Sequence, residues 1–295
     1  MTVIPREESC AQVERPRIRL SHLIAFFIFF AFVGGLAVVA SGFYLTHWRH
    51  GLAREVSHWL PLPAVSVEGD MVWYRDVVEI AAVLEQSNRE GIFSDPWDHA
   101  LQIAIERKHT KHLVRELDSF VGQAEVASYP IDEEDLTDFL QDVGWTVDDY
   151  RHYIVQPLLL SQKAEKAVYA SDLYQRNARN RIEMIQEKIE LGVSFTDLAK
   201  QHSEDLSASF GGDIGYVTAD ELDQGLESIF DLEAGKISDI LEGPTYFAIV
   251  YVYDLVEIDE EEVQAGIQII TVNKDGLAEA LVDYSADKKV VFFVR

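Results

Sequence analysis

The sequence has a single cysteine, Cys10, in 295 residues. With no partner in the chain it closes no intramolecular disulfide, and a zinc site built on several thiolates is excluded with it. Positive charge is also scarce: 25 Lys and Arg stand against 51 Asp and Glu, a formal net charge of −26. A nucleic-acid partner needs a basic face to neutralise phosphates, so that class of function is set aside. The acidic surface favours solubility and leaves the fold open. No Leu-small-small-Cys pattern surrounds Cys10, which argues against a lipid anchor, and the chain has neither an internal repeat nor a low-complexity tract. The length accommodates two modest domains and an additional segment.

Charge is missing altogether from Leu23 to Leu45, an almost wholly apolar run. As a helix it is long enough to cross about 30 Å of hydrocarbon. Tyr44 and Trp48 sit where interfacial aromatics belong. Arg6, Arg15, Arg17 and Arg19 precede the run, while only Arg49 and Arg54 follow closely. Residues 1–50 are therefore expected to form a cytoplasmic N-terminus and a single transmembrane anchor, with everything after His50 outside. The alternative is a cleavable signal peptide with Val38-Val39-Ala40 as its processing site. The length of the run and its continuation past Ala40 favour the anchor.

Residues 51–60 read as a linker, stiffened by Leu60-Pro61-Leu62-Pro63. Ala64 to Tyr74 predicts a short extended run, a Glu68-Gly69-Asp70 turn and a helix from about Tyr74. Val77, Val78, Ile80, Ala81 and Leu84 form its apolar stripe. Asp95-Pro96 is a good helix start, with a capping side chain followed by proline at the first helical position. The helix behind it carries Ala100, Leu101, Ile103, Ala104, Leu113, Val114 and Leu117. Ile131 to Leu140 opens with acidic residues suited to a helix N-terminus. Thr146 and Asp149 form a capping box, and a long helical run from about Val147, interrupted near Pro157, reaches Leu191. Residues 51–170 thus predict a mostly α domain, its apolar residues read as core rather than as a surface for clients. Glu106, His109 and His112 recur every three residues and could share a helix face. With Lys108 and Lys111 between them they read as a solvated face, and no metal is expected.

From Phe195 to Asp254 the pattern becomes specific. A helix closes in Ser203-Glu204-Asp205, then comes Gly211-Gly212-Asp213-Ile214-Gly215, a second helix stopped by Gly235, and a β-rich segment from Gly243 to Val252. In this order and spacing the stretch resembles the parvulin-type (PpiC/rotamase) peptidyl-prolyl isomerases. The segment before it is similar to the SurA-type N-terminal chaperone region, although Glu68 stands where that family's opening turn has asparagine. The whole order resembles membrane-anchored foldases of the SurA/PrsA type. The fold class implied is α+β: an N-terminal transmembrane helix, a mostly α-helical chaperone-like domain over 51–170, then a small parvulin-like domain with an antiparallel sheet over 171–256. Residues 257–295 would be an acidic linker and a C-terminal β-α-β segment.

The implied reaction is rotation about an X-Pro amide, against a barrier near 18–20 kcal/mol. No bond breaks, so neither nucleophile, metal nor cofactor is required. An apolar seat for the proline ring and a polar, desolvated environment for the twisted amide suffice. The resemblance puts Asp205 on the family's catalytic Cys/Asp position. Leu222 and Leu226, four apart on an expected helix, replace the proline-holding Met and Phe, with Phe230 nearby. Gly211, Gly212 and Gly215 read as backbone requirements, through positive φ or close approach.

Two departures stand out. Ala248 occupies the position of the family's final-strand histidine, and Ala170 to Arg181 offers no strand where the family's first strand should be. Val263 to Val272 resembles that missing strand and could fill its slot by a circular rearrangement, with Ile267 at the other histidine position; a separate edge strand is the alternative. The function expected is a bacterial, extracytoplasmic peptidyl-prolyl isomerase acting on unfolded or proline-containing exported polypeptides, held at the cytoplasmic membrane and without nucleic-acid partners. A catalytically degenerate chaperone and an envelope scaffold are the alternatives.

Overall fold

The computed structural model describes residues 20–44, 52–87, 95–259 and 262–294. Cys10, the four arginines before the apolar run, Leu45, Trp48 and Arg49 lie outside them.

Helix α1 spans Leu20–Tyr44. The expectation of a membrane-crossing helix is corrected here: among the described residues, no helix is long and apolar enough to cross a membrane. The end of α1 is instead committed to the protein interior. Phe43 is fully buried and meets Tyr74 edge-on, ring centroids 4.6 Å apart, and the Tyr44 hydroxyl donates to the Pro63 carbonyl at 3.1 Å. Apolarity at this end serves a protein core.

Helix α2 (Leu52–Trp59) leads into the hairpin β1 (Pro63–Val67) and β2 (Asp70–Trp73), then α3 (Tyr74–Ser87) and α4 (Pro96–Glu116). Val65, Val67 and Val72 of the hairpin pack with Tyr74, Val77, Trp97 and Leu101 in one buried cluster. The hairpin turns on Glu68 and Gly69, both at positive φ (51° and 95°). That is the backbone for which asparagine-glycine is the favoured pair. Glu68 bears this conformation because its carboxylate meets His112 at 2.8 Å, the Tyr284 hydroxyl at 3.1 Å and Lys288 at 3.3 Å. His112 also reaches Asp70 at 2.9 Å and so binds neighbouring elements together, while His109 is buried with its ring edge-on to Tyr284, so the expectation of a solvated face fails for the two histidines. Among the described residues, no cluster suited to a metal ion occurs.

Short helices α5 (Gln123–Ser128), α6 (Glu133–Val143) and α7 (Val147–Tyr150) come next. Glu79 of α3, almost fully buried, ties the α6–α7 link to α2 and α3: Arg54 of α2 grips its two oxygens at 3.0 and 2.6 Å, and the Trp145 indole donates at 2.6 Å. A buried carboxylate is tolerable only with partners of this kind. One π turn, Arg151–Val155, joins α7 to α8 (Gln156–Tyr169). Pro157 lacks the N–H that an uninterrupted α-helix would use, and the wider turn absorbs the loss. The long run thus widens into a π turn just before Pro157 and breaks later, between Tyr169 and Arg176.

The second region opens with α9 (Arg176–Glu190) and α10 (Phe195–His202), succeeded by β3 (Asp213–Val217), β4 (Lys236–Ile237), β5 (Leu241–Glu242), β6 (Tyr246–Asp259) and β7 (Glu262–Asn273). The strand order is β3-β7-β6-β4, with β5 also paired to β6 and all pairs antiparallel. Strand β7, from the Val263–Val272 segment, lies inside this sheet, Phe247 opposite Val272 and Val252 opposite Ile267. Its near-continuous apolar run suits a strand buried on both faces. Beyond β7 the chain leaves this sheet. Helix α11 (Leu277–Ser285) packs on α4 and α8, and β8 (Val290–Phe292) pairs with β1 in a second sheet of order β2-β1-β8. The chain therefore ends in the region where its helical half began. Buried Gln175 pins the crossing, its side chain bonding Val168 O, Asp275 O and Asp275 N at 2.8–2.9 Å.

Candidate functional site

The five-stranded sheet has two unlike faces. On one, Ile182 and Ile185 of α9 and Leu198 of α10 cover Phe247, Ile249, Ile270 and Val272. On the other, Ala248, Val250, Val252, Ala265, Ile267 and Ile269 meet Leu226 and Ile229, with Leu222, Phe230 and Tyr246 partly buried at the margin. This second face gathers all three of the expected proline-holding residues. It does so without the helix expected there. Two short 3-10 turns, Ala219–Glu221 and Glu227–Asp231, flank an extended piece in which Leu222 has ψ 146°. Gly225 enforces the break: its φ is +97°, and a Cβ there would lie 2.2 Å from the Glu242 carbonyl oxygen. Leu226 is buried flat on the sheet, whereas Leu222 and Phe230 keep exposed surface.

Asp205 stands at the rim of the same face. It caps the 3-10 turn Leu206–Phe210, one carboxylate oxygen accepting from Ser207 N at 2.7 Å. The loop before it is stitched to β7. Ser203 Oγ accepts from both Asp205 N (3.3 Å) and Thr271 N (3.1 Å), and Glu204 N donates to Thr271 O at 2.9 Å. Further along, Ile269 N donates to Gly212 O at 2.8 Å, and β3 pairs with Ala265 to Gln268. The outer edge of β7 is thus used from Ala265 to Thr271, as an interior strand requires. Gly212 permits the approach: its φ is +82°, and a Cβ would lie 2.3 Å from Ile269 O. Gly211 and Gly215 share positive φ, in keeping with a backbone role.

The register fixes which residues stand opposite each other at the site. The residue across from Ala248 is Thr271, while Ile267 stands across from Val252, four residues away along β7. The pair facing the site on the two central strands is therefore Ala248 and Thr271, both buried. A match of letters in a short β pattern slides by even steps without changing which side chains face the core, and only pairing fixes the register.

Sequence reasoning missed Tyr246. It lies two residues before Ala248 and so on the same face, a relation that alternation alone could have revealed. Its hydroxyl donates to Asp223 at 2.7 Å. Burial, that hydrogen bond and the charges of Asp223 and Asp205 hold the phenol well above its ordinary pKa, so it stays neutral at physiological pH. Beside this polar rim, Leu206 is 97% exposed and Phe210 75% exposed. The arrangement joins a shallow apolar surface, the carboxylates of Asp205 and Asp223, one neutral phenol and two exposed apolar side chains. It can bind an apolar ring and a neighbouring amide, and it contains no nucleophile poised by a base.

Comparison with known proteins agrees with this geometry. Residues 158–254 match the model of the rotamase family, described as a PPIC-type PPIASE domain. The chain is 35% identical over 79 residues to Chaperone SurA of Thiobacillus denitrificans, covering 26% of this chain and 18% of that one. It is 41% identical over 78 residues to Foldase protein PrsA of Oceanobacillus iheyensis, 26% of each chain, and 37% identical over 73 residues to Foldase protein PrsA 2 of Bacillus anthracis, 24% of this chain and 26% of that one. These matches span 18% to 26% of the relatives' own length. The chain carries a parvulin-type rotamase domain, and its family match ends at Asp254, before β7 begins.

Proposed function

We propose that this protein is a peptidyl-prolyl cis-trans isomerase chaperone that acts on unfolded or proline-containing polypeptides. The single observation that carries the reading is the meeting of Asp205, Leu222, Leu226, Phe230 and Tyr246 around one apolar sheet face. The proline ring sits against Leu222 and Phe230, with buried Leu226 as the floor. Asp205 and Tyr246 lie at the rim, where the amide carbonyl and nitrogen turn out of plane. A twisted amide loses its resonance, so its oxygen carries less charge and its nitrogen becomes a better acceptor. A partly desolvated rim bearing a neutral hydroxyl and a carboxylate favours that state over the planar one. Work outside the cytoplasm belongs to the same proposal and is checked by protease accessibility in intact spheroplasts.

A second reading has its own support. The sheet pair at the site is Ala248 and Thr271, without a histidine, and both are buried. On that reading the fold binds clients and does not accelerate rotation. A protease-coupled or NMR exchange assay of a proline peptide with the full chain separates the two. Acceleration reduced by both Asp205→Ala and Leu226→Ala supports the isomerase. Suppressed aggregation of an unfolded client without acceleration supports the chaperone alone, and absence of both activities overturns the proposal.

A further inference from the structure

Helix α4 presents Ala104, Arg107, Lys108, Lys111, Val114 and Arg115 to one cavity of about 240 Å3. Their spacing of three and four residues sets them on one helical face. Elsewhere the cavity is largely apolar, walled by Val72, Ile80, Phe120, Pro157 and Leu160, and Asp76 is its one acidic residue among the described residues. In a chain of net charge −26 this is a local reversal of sign. Among the described residues, neither Arg107, Lys108 nor Lys111 has a carboxylate within 4.0 Å, and Arg115 approaches Asp70 only at that limit. Arg107 and Lys108 are pulled down in pKa chiefly by burial, and the charge of Asp76 opposes the shift on both without outweighing it. A second, wider cavity of about 1050 Å3 between α4, α8 and α11 adjoins the first, with Arg107 and Pro157 lining both. Its lining mixes apolar side chains, among them Ile103, Ile154, Leu158 and Leu281, with the carboxylates Glu106, Glu165 and Glu279, so it favours the apolar flank of a bound segment and leaves the basic residues of the smaller cavity as the place for a carboxylate.

We propose that this groove docks extended polypeptide segments in which a carboxylate side chain is flanked by apolar ones. The smaller cavity falls below the roughly 300–1,000 Å3 of sites for whole small molecules, a size that suits one side chain. The wider cavity continues the path beyond Arg107, as an extended chain requires. The carboxylate supplies the missing partner of Arg107, with Lys108 and Lys111 beside it, and charge-assisted bonds of this type are the strong ones. The inference rests on the chaperone part of the proposed function and gives the client a chemical class, at a site built from residues other than those of the isomerase face.

The test is fluorescence anisotropy with the full chain and two labelled peptides, one with Leu-Glu-Phe at its centre and one with Leu-Gln-Phe. The acidic peptide should bind about ten-fold more tightly, with the advantage shrinking as salt rises. In Arg107→Gln the advantage should vanish. Lys111→Gln, an exposed change that leaves the core intact, should reduce it about two- to three-fold. Equal binding of the two peptides by the unaltered protein overturns the proposal, as does an advantage that survives both substitutions. Displacement of the acidic peptide by phosphatidylglycerol vesicles also overturns it, because the groove would then belong to a lipid surface. The isomerisation assay on the same protein reports independently on the other site.

Discussion

The two faces of the five-stranded sheet are built from the same strands and differ in what covers them. Residues 247, 249, 270 and 272 lie beneath regular helices, where Ile182, Ile185 and Leu198 are buried. Residues 246, 248, 250, 267 and 269 lie beneath 3-10 turns and an extended link, and Leu222, Phe230 and Tyr246 stay partly open. Helices satisfy their own backbone and can seal a face with side chains. Short turns leave margins, and those margins hold the carboxylate and the phenol. Alternation along one strand thus separates stability from recognition by a single residue step.

That separation can be broken experimentally. Ile249→Ala, on the helix-covered face, should give the largest loss of stability, about 2–5 kcal/mol by urea denaturation. The rate enhancement per folded molecule should stay near that of the unaltered protein; a selective fall in rate would mean that the faces are not separate. Gly212→Ala should cost about 1–3 kcal/mol, since a methyl group at φ +82° meets Ile269 O. It should also displace the Asp205 loop, so that stability and isomerisation fall together.

On the open face the balance should reverse. Asp205→Ala removes a cap worth about 0.5–2 kcal/mol and should lower the isomerisation rate on the order of ten-fold. Asp205→Ser keeps the cap and should restore stability without restoring the rate. If serine restores both, Asp205 is structural and the contrast between the faces fails. The smallest effect concerns Tyr246. Its folded-state pKa is raised, so its contribution to stability is full below the unfolded value, about 10, and is lost as pH rises past it. Tyr246→Phe should therefore flatten the decline in stability above about pH 10, measured by urea melts, and an unchanged slope would contradict the assignment.

Much of this site was legible in the chain. Ser203-Glu204-Asp205 and the glycines after it announce a tight, capped loop, because Asp and Gly each have few other uses in that order. Asp205 does cap a turn, and the three glycines do have positive φ. The expected helix over Leu222 and Leu226 was not legible, because four-residue spacing suits a helix and also suits two turns broken at Gly225. The apolar run before Leu45 shows the same limit from another side: hydropathy reports that residues avoid water and does not say what replaces it. At Phe43 the replacement is Tyr74. Glu68 shows it once more. In the sequence it is a poor turn residue, and in the fold it is held by His112, Tyr284 and Lys288, the last two from the far end of the chain.

By itself the sequence determined many of the local elements, the strongly acidic charge balance, and the family pattern around Asp205, because these depend on nearest-neighbour chemistry and spacing. The tertiary structure alone decided that β7 lies between β3 and β6 and that Thr271, four residues past Ile267, faces Ala248. It also decided that the chain returns to β1 at its end. Pairing, register and closure bring together residues far apart in the chain. Their free energy comes from burial and from backbone hydrogen bonds that exist only once both partners are in place.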